Sequence, residues 1–275
     1  MSGPLTVGIT GAARGIGLET ARLLAARGHR VEIGDLDGEL AAAAAAGIGP
    51  AARGGPLDVT DRDGFAGWLA GIEAERGPLD VLINNAGIAP TAPRSAEQDP
   101  AILRATIEVD LIGVINGTLE AIRLMEPRRR GQIINVSSLA GLVGVPGLAA
   151  YAAAKHGVVG FTESVRAEYR DAGIQLTLVL PGPAATRMMD GTRRSPAVKL
   201  TPAATVAARI ADAVGTRRDR LTHPRFDGLF SRLAGALPPA AGRRLSRLVG
   251  ADRIYTEVDP AARSGYERWL RGDDR

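Results

Sequence analysis

The 275-residue sequence predicts an α/β fold: a doubly wound, mostly parallel seven-stranded sheet with helices on both faces, followed by a C-terminal helical extension. Three observations predict it. Short apolar runs alternate with longer amphipathic stretches as far as residue 224. The runs are apolar at odd and even positions alike, which suits strands covered on both faces and therefore a parallel sheet. The glycine-rich TGAARGIG (10–17) joins the first run directly to the first helical stretch, a junction at which main-chain N–H groups can approach a phosphate.

The strands are expected at LTVGIT (5–10), RVEIGD (30–35), a weaker GGPLDV (54–59), LDVLINNAG (79–87), GQIINVSS (131–138), IQLTLVLPG (174–182) and DRLTHP (219–224). Helices are expected at 15–28, 37–46, 61–76, 99–126, 150–172 and 202–216, several opened by Asp or Thr and several ended by Gly. Right-handed crossovers between parallel strands then distribute these helices over both faces. Residues 1–224 form one nucleotide-binding and catalytic domain in this reading. Beyond Pro224, RFDGLFSRLAGALPPAAGRRLSRLVGADR reads as two short amphipathic helices broken by Pro238 and Pro239. The extension, 225–275, is expected to pack on or near the substrate pocket and not to form an independent domain. Association with a membrane surface is a less favoured use of the same pattern.

Composition narrows the function classes. Apolar residues make up 45% and charged residues 23%, the balance of a soluble globular chain. The absence of cysteine excludes a disulfide framework, a thiolate metal site and a cysteine nucleophile, and no metal site is expected. No basic leader precedes an apolar stretch, and no run approaches the roughly 18 apolar residues of a spanning helix, so a cytoplasmic enzyme is expected. The net charge of +4 is small and dispersed, which argues against nucleic acid as a partner. Its only dense run, Arg128 to Arg130, is expected in a solvated loop.

Against this arginine-rich background Lys155 stands out as one of two lysines among 34 cationic residues. It lies four residues after Tyr151, so on a helix both side chains leave one face. An ammonium near a phenol favours the phenolate, and the pair is expected to exchange a proton with an alcohol or carbonyl oxygen. Lysine suits this use better than arginine because its compact ammonium carries three rotatable donors. Asp35, at the end of the second strand, is placed to accept from ribose hydroxyls and would repel a 2′-phosphate. NAD is therefore the expected cofactor.

Gly11, Gly15 and Gly17 are spaced TGxxxGxG, and with this spacing the chain resembles the classical type of the short-chain dehydrogenase/reductase family over roughly residues 5–224. NNAG (84–87), Ser138 thirteen residues before Tyr151, and the PG pair at 181–182 extend the resemblance. It implies a Rossmann-like fold and an NAD(P)-dependent oxidoreductase that interconverts a secondary alcohol and a ketone. Tyr151 would be the acid/base, Ser138 the group that orients the substrate oxygen, and Lys155 the activator and ribose ligand. Ser138 is preferred to Ser137 because spacing and the family's SS pattern favour the second serine.

The resemblance further implies cofactor contacts from Arg14 and Ile16 in the glycine loop, from Asp58 and Val59 at the adenine, and from Asn85, Ala86 and Gly87 beside the dinucleotide. Tyr151, Lys155, Pro181, Gly182, Ala184 and Thr186 would complete them. A basic residue at Arg14 is common in family members that accept NADP, so NADP stays possible. Ala184 is smaller than the usual Val or Ile, which would loosen the nicotinamide pocket.

Asp110, in VDLIGVINGT, departs from the pattern, since it occupies the family's catalytic asparagine position. A carboxylate accepts from a relay water but donates nothing when ionised, and its charge favours a protonated Lys155. It is expected to serve as a variant relay member or to mark weakened catalysis, the second leading to an alternative function as a dinucleotide sensor or scaffold. The Met pair at 188–189 and the Leu/Phe-rich stretch from 226 suggest a small, apolar or partly apolar substrate. A homotetramer or homodimer built on the helices near 99–126 and 150–172 is also implied by the resemblance.

Overall fold

The structure, a computed structural model, describes residues 3–195, 198–223, 244, 247 and 250–272. The stretch expected to form two short amphipathic helices falls largely outside the described residues.

Seven parallel strands form the sheet: β1 (Thr6–Thr10), β2 (Arg30–Asp35), β3 (Ala52–Pro56), β4 (Val81–Asn84), β5 (Gly131–Val136), β6 (Ile174–Pro181) and, after a two-stranded pair of β7 (Ala184–Ala185) and β8 (Thr201–Pro202), β9 (Arg220–His223). Their spatial order is β3-β2-β1-β4-β5-β6-β9. The chain winds one way from β1 through β2 to β3 and the other way from β4 onward. The switch lies between β1 and β4, and in open parallel sheets the crevice at the carboxyl ends of such a pair is where ligands bind.

The helices are α1 (Gly15–Ala26), α2 (Gly38–Ile48), α3 (Arg62–Arg76), α4 (Pro100–Ile107), α5 (Gly113–Met125), α6 (Ala149–Glu168), α7 (Ala203–Ala211) and α8 (Pro260–Arg271). On one face Ala21, Leu24, Val206 and Ile210 pack against Val7, Ile9, Val31 and Ile33. On the other Phe65, Leu69, Ile122, Met125 and Val165 pack against Leu82, Ile133 and Leu176. Each fully buried side chain of this size stabilises the fold by roughly 1.5–3 kcal/mol. The strands read as continuous apolar runs because both faces are covered.

Between the layers lies a buried polar chain. Asn84 Nδ2 donates to Asn135 Oδ1 at 2.8 Å, and Asn135 Nδ2 donates to Thr162 Oγ1 at 3.0 Å. Thr118 Oγ1 reaches the same Asn135 oxygen at 3.3 Å. Because unpaired amides would be costly there, these contacts fix β4, β5, α5 and α6 in one register.

Two elements differ from the sequence reading. The third strand is Ala52–Pro56 and not 54–59. A Cβ at Gly54 would sit 2.1 Å from the Ala41 carbonyl oxygen, so α2 rests on bare strand backbone. A strand packed through its glycines carries little apolar signal, which drew the expectation toward PLDV. The long helix at 99–126 is interrupted by a π-helical turn, Glu108–Ile112, closed by Gly113 N–H donating to the Glu108 carbonyl. Such a turn inserts a residue and rotates the side chains that follow, and Asp110 within it is fully buried.

The arginine triplet is stitched into the fold. Arg128 pairs with Glu73 at 2.7 Å and donates to Leu79 O at 2.6 Å, while Arg130 pairs with Asp80 at 3.0 Å. Helix α8 lies within the expected C-terminal helical extension, although the sequence reading set no bounds for it. Its start is nonetheless conventional, with Asp259 accepting from Ala261 and Ala262 N–H groups and Pro260 in the first turn. Among the described residues no helix is long and apolar enough to cross a membrane.

Candidate active site

A cleft of about 950 Å³ opens at the carboxyl ends of the strands. Its nucleotide end begins at the β1–α1 turn. Gly11 has φ +62°, and a Cβ there would meet Ala86 Cα at 2.6 Å. The turn therefore tolerates no side chain. Gly17 faces away from the cleft, and a Cβ on it would meet Ala12 Cα, Asn85 Nδ2 and Gly11 O at 2.7 Å each. It permits close packing where Gly15 and Ile16 line the cavity. Asn85 completes the junction by donating from Nδ2 to the carbonyls of Thr10 and Gly11, both at 3.0 Å.

The residues present fit a dinucleotide. Helices α2, α3, α4 and α8 are each capped by an aspartate, whereas α1 has no side-chain cap and no acid in its first turn. Its free N–H groups and positive dipole end face the cavity, the arrangement that favours a pyrophosphate. Thr186 approaches from across the cleft, 3.6 Å from where a Gly15 Cβ would lie. Asp35 is oriented by Ala13 N–H at 3.0 Å and Asp37 N–H at 3.3 Å. Arg14 is engaged elsewhere, with Asp37 at 3.4 Å and the Trp269 ring at 5.3 Å. Asp58, whose carboxylate accepts from Thr60 N–H at 2.9 Å, lines the cleft with Val59, Ala86 and Gly87. Pro181, Gly182 and Ala184 line it at the end of β6.

At the other end, Ser138, Tyr151 and Lys155 share one wall. Ser138 follows β5, and its hydroxyl caps the short turn after the strand by accepting from Ala140 N–H at 3.1 Å. The two serines separate by geometry. Ser137 Oγ donates to the Lys155 carbonyl at 2.9 Å, which ties α6 to β5, whereas Ser138 interacts with the Tyr151 phenol. Lys155 is 3% exposed and lies 5.4 Å from the Tyr151 ring centre. Its ammonium meets Asp110 Oδ1 at 3.2 Å and Val136 O at 3.4 Å. The same Asp110 oxygen accepts from Ile88 N–H at 3.1 Å, and Oδ2 is buried without a hydrogen-bond partner among the described residues.

Burial pushes the Asp110 carboxyl up to about 6, against the opposing pull of Lys155 and the Ile88 N–H. The expected lowering of the phenol by Lys155 is not what this wall produces. Burial pushes Tyr151 above the ordinary phenol value, the Asp110 carboxylate pushes the same way, and the Ser138 hydrogen bond alone opposes them. The ammonium is shared with a carboxylate much closer than the phenol ring, which offsets its field at the tyrosine.

The expected Met188 and Met189 line the cleft, and several other lining residues carry no sequence expectation. Val143, Val145, Leu148 and Ile254 add to the two methionines an aliphatic part of the lining. From α8, Tyr266, Trp269 and Leu270 line the same cleft, and Tyr266 Oη accepts from Ala89 N–H at 2.9 Å. Arg263, fully buried, donates to the carbonyls of Ala89, Met188 and Asp190 at 2.7, 3.1 and 2.9 Å. The helix thus ties the loop after β4 to the loop after β6. The Asp259-Pro260 start and the spacing of Arg263, Tyr266 and Leu270 were the available signals for it.

Residues 5–197 match the family model described as short chain dehydrogenase. The cis-4-hydroxycyclohexanecarboxylate dehydrogenase of Sinomonas cyclohexanicum is 42% identical over 253 residues, 91% of this chain and 96% of that protein. The trans-4-hydroxycyclohexanecarboxylate dehydrogenase of the same organism is 41% identical over 68% of this chain and 74% of its own length. The 3-oxoacyl-(acyl-carrier-protein) reductase of Escherichia coli (strain K12) is 36% identical over 75% of this chain and 86% of its own length.

Proposed function

This chain belongs to the short-chain dehydrogenase family, and on that premise we propose that it oxidises a secondary alcohol, or reduces the matching ketone, on an apolar molecule of about the size of a substituted cyclohexane, with NAD. The observation that carries the reading is the convergence of Ser138, Tyr151 and Lys155 on one wall of a cleft whose far end is an uncapped helix N-terminus behind a glycine turn.

A nicotinamide cofactor held there by Gly15, Ile16, Asp35, Pro181 and Gly182 would supply the hydride acceptor in oxidation and the hydride donor in reduction. Tyr151 removes the hydroxyl proton in the first direction and supplies it in the second. Ser138 holds the substrate oxygen for that exchange. Lys155 would hold ribose hydroxyls, its charge at the phenol partly offset by Asp110 at 3.2 Å, and Asp110 would stand in the proton relay beside it. The aliphatic wall of Val143, Val145, Leu148 and Met189 supports an apolar ring, and two relatives bear names of alicyclic hydroxy-acid dehydrogenases. NAD is supported over NADP because Asp35 stands at the ribose end and Arg14 is drawn toward Asp37 and Trp269. Assembly into a homodimer or homotetramer through α4, α5 and α6 belongs to the same reading, and sedimentation tests it.

The direct test is a dehydrogenase assay comparing NAD with NADP over cyclohexanols, linear secondary alcohols and sugars. Turnover of cyclohexanols with NAD is expected, and turnover of small polar sugars alone refutes the substrate class. The Asp110–Lys155 pair favours one second reading, a dinucleotide sensor with weakened catalysis. Normal NADH binding without turnover of any alcohol or ketone in the panel would select it.

A further inference from the structure

The Tyr255 hydroxyl faces the cleft with a poor partner. Among the described residues its hydrogen-bond partner is Met189 Sδ at 3.6 Å, and a thioether is a weak acceptor. Tyr255 shares the cavity lining with the aliphatic Val145, Leu148, Met189 and Ile254. Its position is built. Gly147, at φ +83°, lets the Tyr255 backbone pass so closely that a Cβ would meet Tyr255 O at 2.6 Å. Arg193 N–H donates to the neighbouring Ile254 carbonyl at 3.0 Å. Tyr255 is therefore held between the turn before α6 and the loop after β6, near enough to Tyr151 that the charge of that phenol would push Tyr255 upward.

A buried cation stands behind it. The Arg263 hydrogen bonds end on neutral main-chain carbonyls, and Glu267 approaches its Nε only to 3.9 Å. Its charge reaches Tyr255, offset in part by the carboxylates of Glu267 and Asp190. A donor hydroxyl in an aliphatic wall, backed by a cation, suits an electron-rich oxygen.

We propose that Tyr255 donates a hydrogen bond to a second oxygen of the substrate, remote from the carbinol, and that Arg263 biases this subsite toward a carboxylate. The assignment rests on the substrate reading above and adds the group that would recognise a hydroxy or keto acid. Tyr255 is a specificity-determining residue in this account, because it touches the substrate away from the reacting carbon.

Titration calorimetry of the NAD-loaded protein tests it with cyclohexanecarboxylate and cyclohexanone, neither of which can react with the oxidised cofactor. The wild type is expected to prefer the acid. Tyr255→Phe, which removes one oxygen atom and keeps the ring, should reduce that preference by about 10- to 100-fold, the range for a hydrogen bond to a charged group. Met189→Leu, which deletes the internal competitor for the hydroxyl, should keep or raise it. A preference unchanged in Tyr255→Phe overturns the assignment and moves anion recognition to the exposed Arg104 or Arg187 on the lining. A wild type that binds the ketone as tightly as the acid also overturns it, as does a loss of preference in Met189→Leu. Because binding alone is read, a protein that dehydrogenates nothing yet shows the Tyr255-dependent preference would refute the catalytic reading and leave the subsite standing.

Discussion

The two ends of the cleft are built by different means. At the nucleotide end the decisive groups are main chain and near one another in sequence: the turn at Gly11, the open N-terminus of α1 and an aspartate held by Ala13 N–H. At the substrate end the decisive groups are side chains gathered from distant elements, with Asp110 in the π turn, Ser138 after β5, Lys155 on α6 and Arg263 on α8. The first end depends on space that side chains must leave. The second depends on charges and hydroxyls whose effects can be tuned. Substitutions should therefore act as all-or-none at one end and by degrees at the other.

The largest expected effect breaks the nucleotide end. Gly11→Val combines a positive φ with a backbone collision at Ala86, costs that together reach several kcal/mol. NADH affinity should fall by more than about 100-fold in fluorescence titration. Binding close to the wild type would show that the turn yields, and the contrast between the ends would be lost.

Next comes the buried charge at the substrate end. An acid whose folded value is raised costs stability once it ionises. For Asp110 the cost is absent below its ordinary value of 3.8, grows as pH rises to about 6, and is then complete. The shift corresponds to about 3 kcal/mol. Urea unfolding of Asp110→Asn against the wild type should show the variant gaining relative stability by that amount between pH 4 and pH 7, and a constant difference would contradict it. The same substitution removes a charge that pushes Tyr151 upward, so the acidic limb of the alcohol-oxidation profile should move to lower pH.

A smaller effect sharpens the cofactor assignment. Asp35→Asn keeps an acceptor and removes the charge, so the ratio of kcat/KM for NAD over NADP should fall about tenfold. An unchanged ratio would leave Asp35 without a part in the choice. The smallest expected effect lies where the two ends meet, at the Arg14–Trp269 stack. Trp269→Ala should raise KM for the cofactor by about two- to fivefold, in line with a partly exposed cation–π contact.

The same contrast explains what was legible in the sequence. The glycine spacing, Asp35 and the Tyr151–Lys155 pair are local patterns, and the structure brings these residues to one cleft. Apolar strands covered on both faces announced the parallel sheet for an equally local reason. Asp110 was recognised as a departure, but its 3.2 Å pairing with Lys155 depends on a π turn that no periodicity signals. Because that pairing was hidden, the direction of the Tyr151 shift was misread. Arg263 and Tyr255 were missed because a C-terminal segment shows apolar and charged spacing without showing which loops it will bind. Gly147 carries no motif at all, and its purpose appears only when Tyr255 packs against it.

The central claim is that the Tyr151 hydroxyl handles the proton of a substrate alcohol. Single-turnover oxidation of a cyclohexanol by Tyr151→Phe, with NAD binding verified in the same preparation, tests it most directly. The rate should fall by at least about 100-fold, the lower range for a lost acid/base group, while the variant still binds NAD. A rate within a few-fold of the wild type would contradict the account.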